Sequence, residues 1–181
     1  MRADAKRNLD RVIDAACECF AAGGVDVSID EVARRAGVGH GTVFRRFPTK
    51  EALLDAVLGK EMDRMLLLAE SALAEPDPGE AFAGFFCAAA EGYARNRALV
   101  EAKERCRELA QMPLLQEAAD ELVRRAQSAG ALRRDLTAEE IFELVPAASR
   151  FPDVILDGLA GEARVERLRP EAGTVLSGEI V

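Results

Sequence analysis

The sequence predicts an all-helical protein in which a small N-terminal unit of three helices precedes a larger helical unit. Apolar residues recur at the helical period in almost every segment, and the few candidate strands are too short and too isolated to build a sheet. The chain has 181 residues, of which 49% are hydrophobic. That length and composition support one domain, or a small module joined to a larger one, with a sizeable buried core.

The first helix is predicted by apolar residues that share one face. They are Leu9, Val12, Ile13, Ala16 and Phe20. Gly23 and Gly24 then supply the left-handed residue that commonly ends a helix.

Two short helices follow, separated by a glycine. Ser28 and Glu31 form the pattern of a capping box, which opens a second helix that ends at Gly37. A third helix is predicted over 39–47, and Pro48 closes it.

A long fourth helix begins after Thr49, its predicted cap, and keeps its apolar periodicity as far as Leu73. The Pro-rich segment 75–79 ends it. At about 1.5 Å per residue, this helix is long enough to join two subdomains.

The rest of the chain predicts four further helices and then a weaker pattern. Their inward residues are Phe82, Phe85, Phe86, Ala89 and Tyr93 in the fifth, Leu99, Ala102, Cys106 and Leu109 in the sixth, Leu115, Ala118, Ala119, Leu122 and Ala126 in the seventh, and Ile141, Leu144 and Val145 in the eighth. The eighth opens at a capping box of Thr137 and Glu140. We expect Pro146 and Pro152 to interrupt the last helices and residues 161–181 to form an irregular tail.

Charge is unevenly distributed along the chain, whose formal net charge is −8. Residues 1–60 hold ten basic and nine acidic residues, whereas the remainder holds 14 basic and 23 acidic ones. The segment 32–50 carries five cations and no acid. It therefore forms a basic surface on an acidic body.

Two short helices joined at Gly37, the second flanked by cations, have the layout of a helix-turn-helix that presents its second helix to a DNA groove. The other interpretation is a helical hairpin with a solvated basic face. Charge and layout alone leave these two interpretations equally weighted.

Residues 28–54, SIDEVARRAGVGHGTVFRRFPTKEALL, closely resemble the DNA-binding signature of the TetR family of transcriptional repressors. The resemblance covers about a third of the chain, from the first helix to the start of the fourth. The rest matches the family only in plan. The implied organisation is a helix-turn-helix DNA-binding domain over 1–50, a helical ligand-binding and dimerisation domain over 51–160 and the tail over 161–181.

The resemblance also implies roles for individual residues. Ser28 and Thr42 would bond phosphates, His40 and Gly41 would lie against base edges, Arg45 and Arg46 would flank the groove, and Lys50 would hold the DNA backbone. Phe44 stands where the family usually has Tyr, so a phosphate hydrogen bond is missing and apolar contact with a sugar or thymine methyl remains. Gly39 stands where a Ser commonly caps the recognition helix.

In the second domain, most apolar stripes are core, but an apolar ligand cavity of a helical bundle has the same composition. We expect a pocket for a small apolar effector near Met62, Leu66, Phe86, Tyr93 and Cys106. We also expect a homodimer whose interface centres on the eighth helix and on 154–159, with Phe142, Val145, Ile155 and Leu159 as its apolar anchors.

The sequence gives less support to other classes of function. The single His lies in the basic segment, and no nucleophile elbow, phosphate loop or metal-ligand cluster is present, so we expect neither an enzyme nor a cofactor. The four cysteines lack zinc spacing and are expected to be reduced core thiols. With no membrane span and a charged N-terminus, we expect a cytoplasmic protein.

The predicted function is therefore a ligand-responsive repressor that binds palindromic operator DNA as a homodimer. The alternative is a helical scaffold or partner-binding module that has lost specific DNA binding. A gel shift with the DNA upstream of its own gene would separate the two.

Overall fold

The computed structural model describes residues 2–161, with side chains from residue 7 onward. It confirms the predicted all-helical fold, since this part of the chain contains helices and no strand. The helices are α1 (Arg2–Gly23), α2 (Ile29–Ala36), α3 (His40–Arg46), α4 (Lys50–Leu73), α5 (Pro78–Arg95), α6 (Arg97–Glu101), α7 (Lys103–Arg107), α8 (Met112–Ser128), α9 (Ala138–Phe142), α10 (Val145–Ala148) and α11 (Pro152–Leu159).

The first three helices form the predicted N-terminal unit. α1 runs into a short 3-10 turn over Gly24–Asp26, where Gly24 adopts a φ of 69°. Ser28 caps α2, because its Oγ accepts a hydrogen bond from the Glu31 amide at 3.2 Å. Gly37 ends α2 with a φ of 65°, a left-handed conformation that residues with a Cβ rarely adopt. The chain can therefore turn sharply into α3.

α4 is the 24-residue helix expected to join the two units. The Thr49 hydroxyl caps it by accepting a hydrogen bond from the Ala52 amide at 3.1 Å. At the other end of the helix, the Arg125 guanidinium donates to the carbonyls of Leu73 and Glu75. These bonds satisfy carbonyls that a helix C-terminus leaves without partners.

The prediction of one continuous sixth helix is wrong. The chain bends at Ala102, where φ is −110° and ψ is 27°, so the segment divides into α6 and α7. Asn96 begins α6 by accepting a hydrogen bond from the Leu99 amide at 3.4 Å. Neither Gly nor Pro marks the bend, which is why periodicity alone passed over it.

The helical run divides near both prolines, as predicted, since α9 ends at Phe142 and α10 ends at Ala148. Pro146 lies in the first turn of α10, and Pro152 opens α11. Proline is favoured there because the first helical amides have no intrahelical partner to lose. The predicted capping box of Thr137 and Glu140 is present at the start of α9. The predicted tail lies outside the described residues, apart from Gly161.

The core consists of two clusters of buried side chains. The first extends from Val12 in α1 to Leu122 in α8, so it spans both units. The second lies among α5, α8 and the last three helices, with Phe86 and Ile141 fully buried. The rings of Phe82, Phe85, Phe86 and Phe142 pack together there, with centroids 5.5–6.5 Å apart.

This second cluster corrects part of the predicted dimer interface. Phe142 packs against three phenylalanines of its own chain, and Leu159 is 2% exposed. Both side chains therefore contribute to the core of one subunit and are not free to anchor a partner. Val145 and Ile155 are half-buried against the same cluster.

No described helix is both long enough and apolar enough to cross a membrane.

Candidate nucleic-acid interface

α3 turns one face toward the core and the other toward solvent. Val43 is fully buried, whereas Phe44 is half exposed and His40, Gly41 and Arg45 are exposed. At about 1.5 Å per residue, the seven residues of α3 extend about 10 Å. An α-helix with its side chains is about 10–12 Å across, which fits a DNA major groove about 12 Å wide.

The cations around α3 differ in whether another residue neutralises them. Within residues 2–161, Arg45, Arg46 and Lys50 have neither an ion pair nor a hydrogen-bonded acid. In contrast, the Arg35 Nε lies 2.6 Å from a carboxylate oxygen of Glu18 in α1, and this hydrogen bond raises the pKa of Arg35. Arg45, Arg46 and Lys50 are therefore available to a phosphate backbone. So is the exposed Arg34 of α2, which likewise has no acid partner among the described residues.

Two hydroxyl groups of the predicted site have different surroundings. Ser28 is exposed, and its Oγ accepts a hydrogen bond from the Glu31 amide. The O–H of Ser28 is therefore free to donate to a phosphate oxygen. Thr42 is half-buried in α3. Lys50 begins α4, so its side chain lies beside helix amides that favour anions.

His40 is the residue of the site with the most defined surroundings. Its Nδ1 lies 2.5 Å from Oδ1 of Asp30, in the first turn of α2. Its ring stacks on Phe44, one turn later in α3, with centroids 6.0 Å apart and an angle of 19° between the planes. The contact with Asp30 was missed at the sequence level, because it depends on how α2 packs against α3.

All eight predicted DNA-contacting residues lie on α3 or at the helix starts of α2 and α4. They are Ser28, His40, Gly41, Thr42, Phe44, Arg45, Arg46 and Lys50. Comparison with known proteins then shows which family has this arrangement. Residues 12–57 match the family described as bacterial regulatory proteins, tetR family, and residues 77–168 match the SbtR-like C-terminal domain of transcriptional regulators. The chain belongs to the TetR family.

Solved structures and a curated relative agree with this assignment. The TetR transcription regulatory protein from Mycobacterium vanbaalenii is 39% identical, with a TM-score of 0.67 over 88% of this chain and 98% of that one. The regulator SCO0520 from Streptomyces coelicolor is 29% identical, with a TM-score of 0.61 over 84% of this chain and 98% of that one.

The HTH-type transcriptional regulator TtgW of Pseudomonas putida, described as uncharacterized, is 49% identical over 57 residues. These residues make up 31% of this chain and 42% of that relative's length. The family and these relatives are transcriptional regulators and not enzymes, as the sequence predicted.

The second domain of this TetR-family chain has an open groove of about 860 Å³ between α4 and α8. Leu66, Leu73 and Leu114 give it apolar walls. Carboxylates also line it, from Glu70, Glu117, Asp120 and Glu121. The groove thus combines apolar side chains with an excess of negative charge, since Arg124, ion-paired with Glu121, is the one cation among the described residues that line it.

The five predicted ligand residues are not gathered around this groove. Leu66 lines it. Met62 and Cys106 are buried in the first core cluster, Phe86 is buried in the second, and Tyr93 is half-buried on α5. An effector pocket formed by these residues stays a prediction.

Polar contacts connect the second domain to the DNA-binding unit. A carboxylate oxygen of Glu101 in α6 accepts a hydrogen bond from the Val25 amide at 2.8 Å, and the other accepts one from Arg97. Both hydrogen bonds lower the pKa of Glu101, and the bond from the Val25 amide has the larger effect. Within the larger unit, the guanidinium of Arg105 in α7 forms a two-pronged ion pair with Asp55, near the start of the connecting helix α4.

The cysteines are free, and all four are buried or half-buried. Burial is the main cause that raises the pKa of each thiol, so the neutral form is favoured. Among the described residues, no group of three His, Cys, Asp or Glu side chains is placed to hold a metal ion.

Proposed function

We propose that this TetR-family regulator is a cytoplasmic repressor that binds palindromic operator DNA as a homodimer and releases it when a small apolar effector binds its second domain. The proposed DNA-binding site is supported by the exposed face of α3. This face lies next to Arg45, Arg46 and Lys50, which no described acid neutralises. Phosphate contacts by such cations supply affinity, and contacts of exposed groups with base edges supply sequence preference.

The proposed site divides into two functional groups. Ser28, Arg45, Arg46 and Lys50 contact phosphates, whereas His40 and Gly41 lie against base edges. Phe44 adds apolar contact with a sugar or a thymine methyl, and Thr42 bonds a phosphate at the edge of the groove. Loss of a phosphate contact weakens binding to every sequence, while loss of a base contact relaxes preference at particular positions.

A first experiment selects the operator from random duplexes and then measures affinity at several salt concentrations. We expect Lys50→Ala to lower affinity for all duplexes and to flatten the slope of log affinity against log salt by about one. We expect His40→Ala to keep the slope and to relax preference at particular base pairs.

Arg124→Ala is the matched control. Arg124 is an exposed cation that lines the α4–α8 groove beside Glu70 and Leu73. It lies near the far end of α4, about 30 Å from Lys50 at 1.5 Å per residue. Wild-type behaviour of both Lys50→Ala and His40→Ala would refute the assigned site, and no selected duplex at all would favour the alternative of a helical scaffold.

The proposed effector site is the α4–α8 groove, where Leu66 supplies an apolar wall. The carboxylates that line the groove disfavour an anionic ligand. A molecule held there contacts α4, whose first residue lies beside the proposed DNA contacts, so a shift of this helix would change the position of α3.

A further inference from the structure

Asp30 holds the imidazole of His40 in one orientation. Oδ1 of its carboxylate lies 2.5 Å from Nδ1. On the same helix, the Phe44 ring stacks nearly parallel to the imidazole, with the ring centroids 6.0 Å apart. Both partners remain open to solvent, with 53% of the His40 side chain and 79% of the Asp30 side chain exposed. The imidazole is therefore held at Nδ1 and still accessible.

This contact decides which nitrogen of the neutral ring carries the proton. A carboxylate only accepts hydrogen bonds, so the Nδ1 that faces Asp30 must be the donor. In a neutral imidazole the other nitrogen then has a free lone pair and is an acceptor. Without Asp30 the neutral ring would be free to protonate Nε2, the form that histidine favours in water.

The hydrogen-bonding character of Nε2 matters because base edges differ in theirs. In the major groove, adenine and cytosine offer an amino group that donates, whereas guanine offers two acceptors. An Nε2 acceptor therefore selects adenine or cytosine at the position it faces, whereas an Nε2 donor can bond guanine, the O4 atom of thymine or the N7 atom of adenine.

We propose that Asp30 is a positioning residue for DNA readout, which fixes His40 in the Nδ1–H form and so makes it select a base with an amino group. The inference rests on the proposed function, in which His40 faces base edges. It adds a residue outside the recognition helix that determines sequence preference without touching DNA.

The test uses the fact that His40 is the only histidine of the chain, so its ring gives a single set of nitrogen signals. Long-range ¹H–¹⁵N spectra of the full chain are recorded at increasing pH until the ring signals stop changing, so that the neutral ring is observed. We expect a protonated Nδ1 and an unprotonated Nε2 in wild type, and a shift toward protonated Nε2 in Asp30→Ala. A wild-type ring with its proton on Nε2 would overturn the inference and leave the proposed function standing.

The second measurement compares base preference at the selected operator position in wild type and Asp30→Ala. We expect the preference to move from adenine or cytosine toward guanine or thymine by about 3- to 10-fold, the effect of one hydrogen bond. Glu31→Gln is the control, because it removes the same charge from the same turn of α2, and Glu31 makes no contact with His40.

The control separates readout from general electrostatics. Both Asp30→Ala and Glu31→Gln should strengthen binding to all duplexes, since each removes a negative charge near phosphates. A change of base preference that is equal in the two variants would overturn the inference. So would an unchanged preference in His40→Ala, and in that case the base contact assigned to His40 also fails.

Discussion

At the scale of single residues, the surface around α3 is shaped by which cations find an acid and which do not. Arg35 is neutralised by Glu18, whereas Arg45, Arg46 and Lys50 have no such partner within residues 2–161. The resulting positive surface is small on a chain whose formal net charge is −8. Attraction to phosphate therefore depends on where the charges lie and not on their sum.

Gly41 gives a substitution that separates folding from DNA binding. A Cβ at this position would meet no atom within 4 Å in the protein. Because glycine is a poor helix former, Gly41→Ala should raise the free energy of unfolding by up to about 1 kcal/mol. The added methyl would lie where base edges are proposed to approach, so operator affinity should fall by about 10-fold or more.

Urea unfolding and titration of labelled operator check the two expectations on Gly41. Gly84→Ala is the control, because Gly84 is an exposed glycine within α5 whose Cβ would also meet nothing. It should raise stability and leave operator affinity unchanged. If Gly41→Ala bound operator as tightly as Gly84→Ala, no base edge would approach Gly41.

The sequence predicted the exposed residues of α3, but not how they are held. Periodicity identified Val43 as buried, and the side chains on the other face of α3 are exposed as a result. The contact between Asp30 and His40 joins residues ten positions apart on two helices. It is set by the packing of α2 against α3, which no local pattern encodes.

At the scale of elements, helix ends were predicted better than helix continuity. The caps at Ser28, Thr49 and Thr137 are present because a hydroxyl before a helix bonds a nearby amide whatever the tertiary structure. Helix continuity depends on packing against neighbouring helices. This is the case for the bend at Ala102 and for the starts of α10 and α11. A proline in a sequence is ambiguous, because the same residue can end a helix or begin one.

The contact of α6 with the turn after α1 gives a pH-dependent stability. Hydrogen bonds from Val25 and Arg97 lower the pKa of Glu101, so folding favours its charged form. The stabilisation is present at neutral pH, above the unfolded-state pKa, and is lost as the pH falls through the folded-state pKa. Glu101→Gln should therefore unfold more easily than wild type at pH 7, and the difference should shrink in acid.

Urea unfolding at neutral and acidic pH measures this difference. Glu91→Gln is the control, since Glu91 forms an exposed ion pair with Arg95 one turn away on α5, and such pairs contribute little. A difference between Glu101→Gln and wild type that did not change with pH would mean that the charge of Glu101 plays no part.

At the scale of the whole molecule, the described surface suggests where a second subunit would pack. Phe151 and Val154 are large apolar residues at the start of α11, with exposures of 61% and 69%. They lie in or next to the segment expected to form the interface, whereas Leu159 in the same helix is buried. The exposed face of α11 is therefore the better candidate for the dimer contact.

Val154→Asp should yield more monomer without loss of folding, because the side chain is exposed and a charge in an apolar interface is costly. Light scattering at tens of micromolar protein measures the oligomeric state, and operator titration measures the consequence. Affinity for a palindrome should fall, while affinity for a single half-site should not change. A wild-type chain that is monomeric under these conditions would refute the proposed dimer.

The last prediction concerns how an effector in the second domain would reach the DNA contacts. α4 lines the groove with Leu66 and begins at Lys50. Glu101 connects the second domain to the turn after α1, and Arg105 holds the first part of α4 through Asp55. A ligand in the groove that favours one position of α4 would change the separation of two α3 helices, which successive major grooves require to be about 34 Å. Coupling of about 1–3 kcal/mol would lower operator affinity by about 5- to 150-fold.

Leu66→Trp should occupy the part of the groove beside Leu66 and weaken this response. The measurement is operator affinity with and without each member of a panel of small apolar compounds, in wild type and in two variants. Leu67→Trp is the control, because Leu67 neighbours Leu66 on α4 but is 66% exposed and does not line the groove. A compound that releases operator from wild type and Leu67→Trp, but less from Leu66→Trp, would support the groove as the effector site. Equal release from all three would place the site away from Leu66, because a ligand in contact with Leu66 cannot share that space with an indole ring.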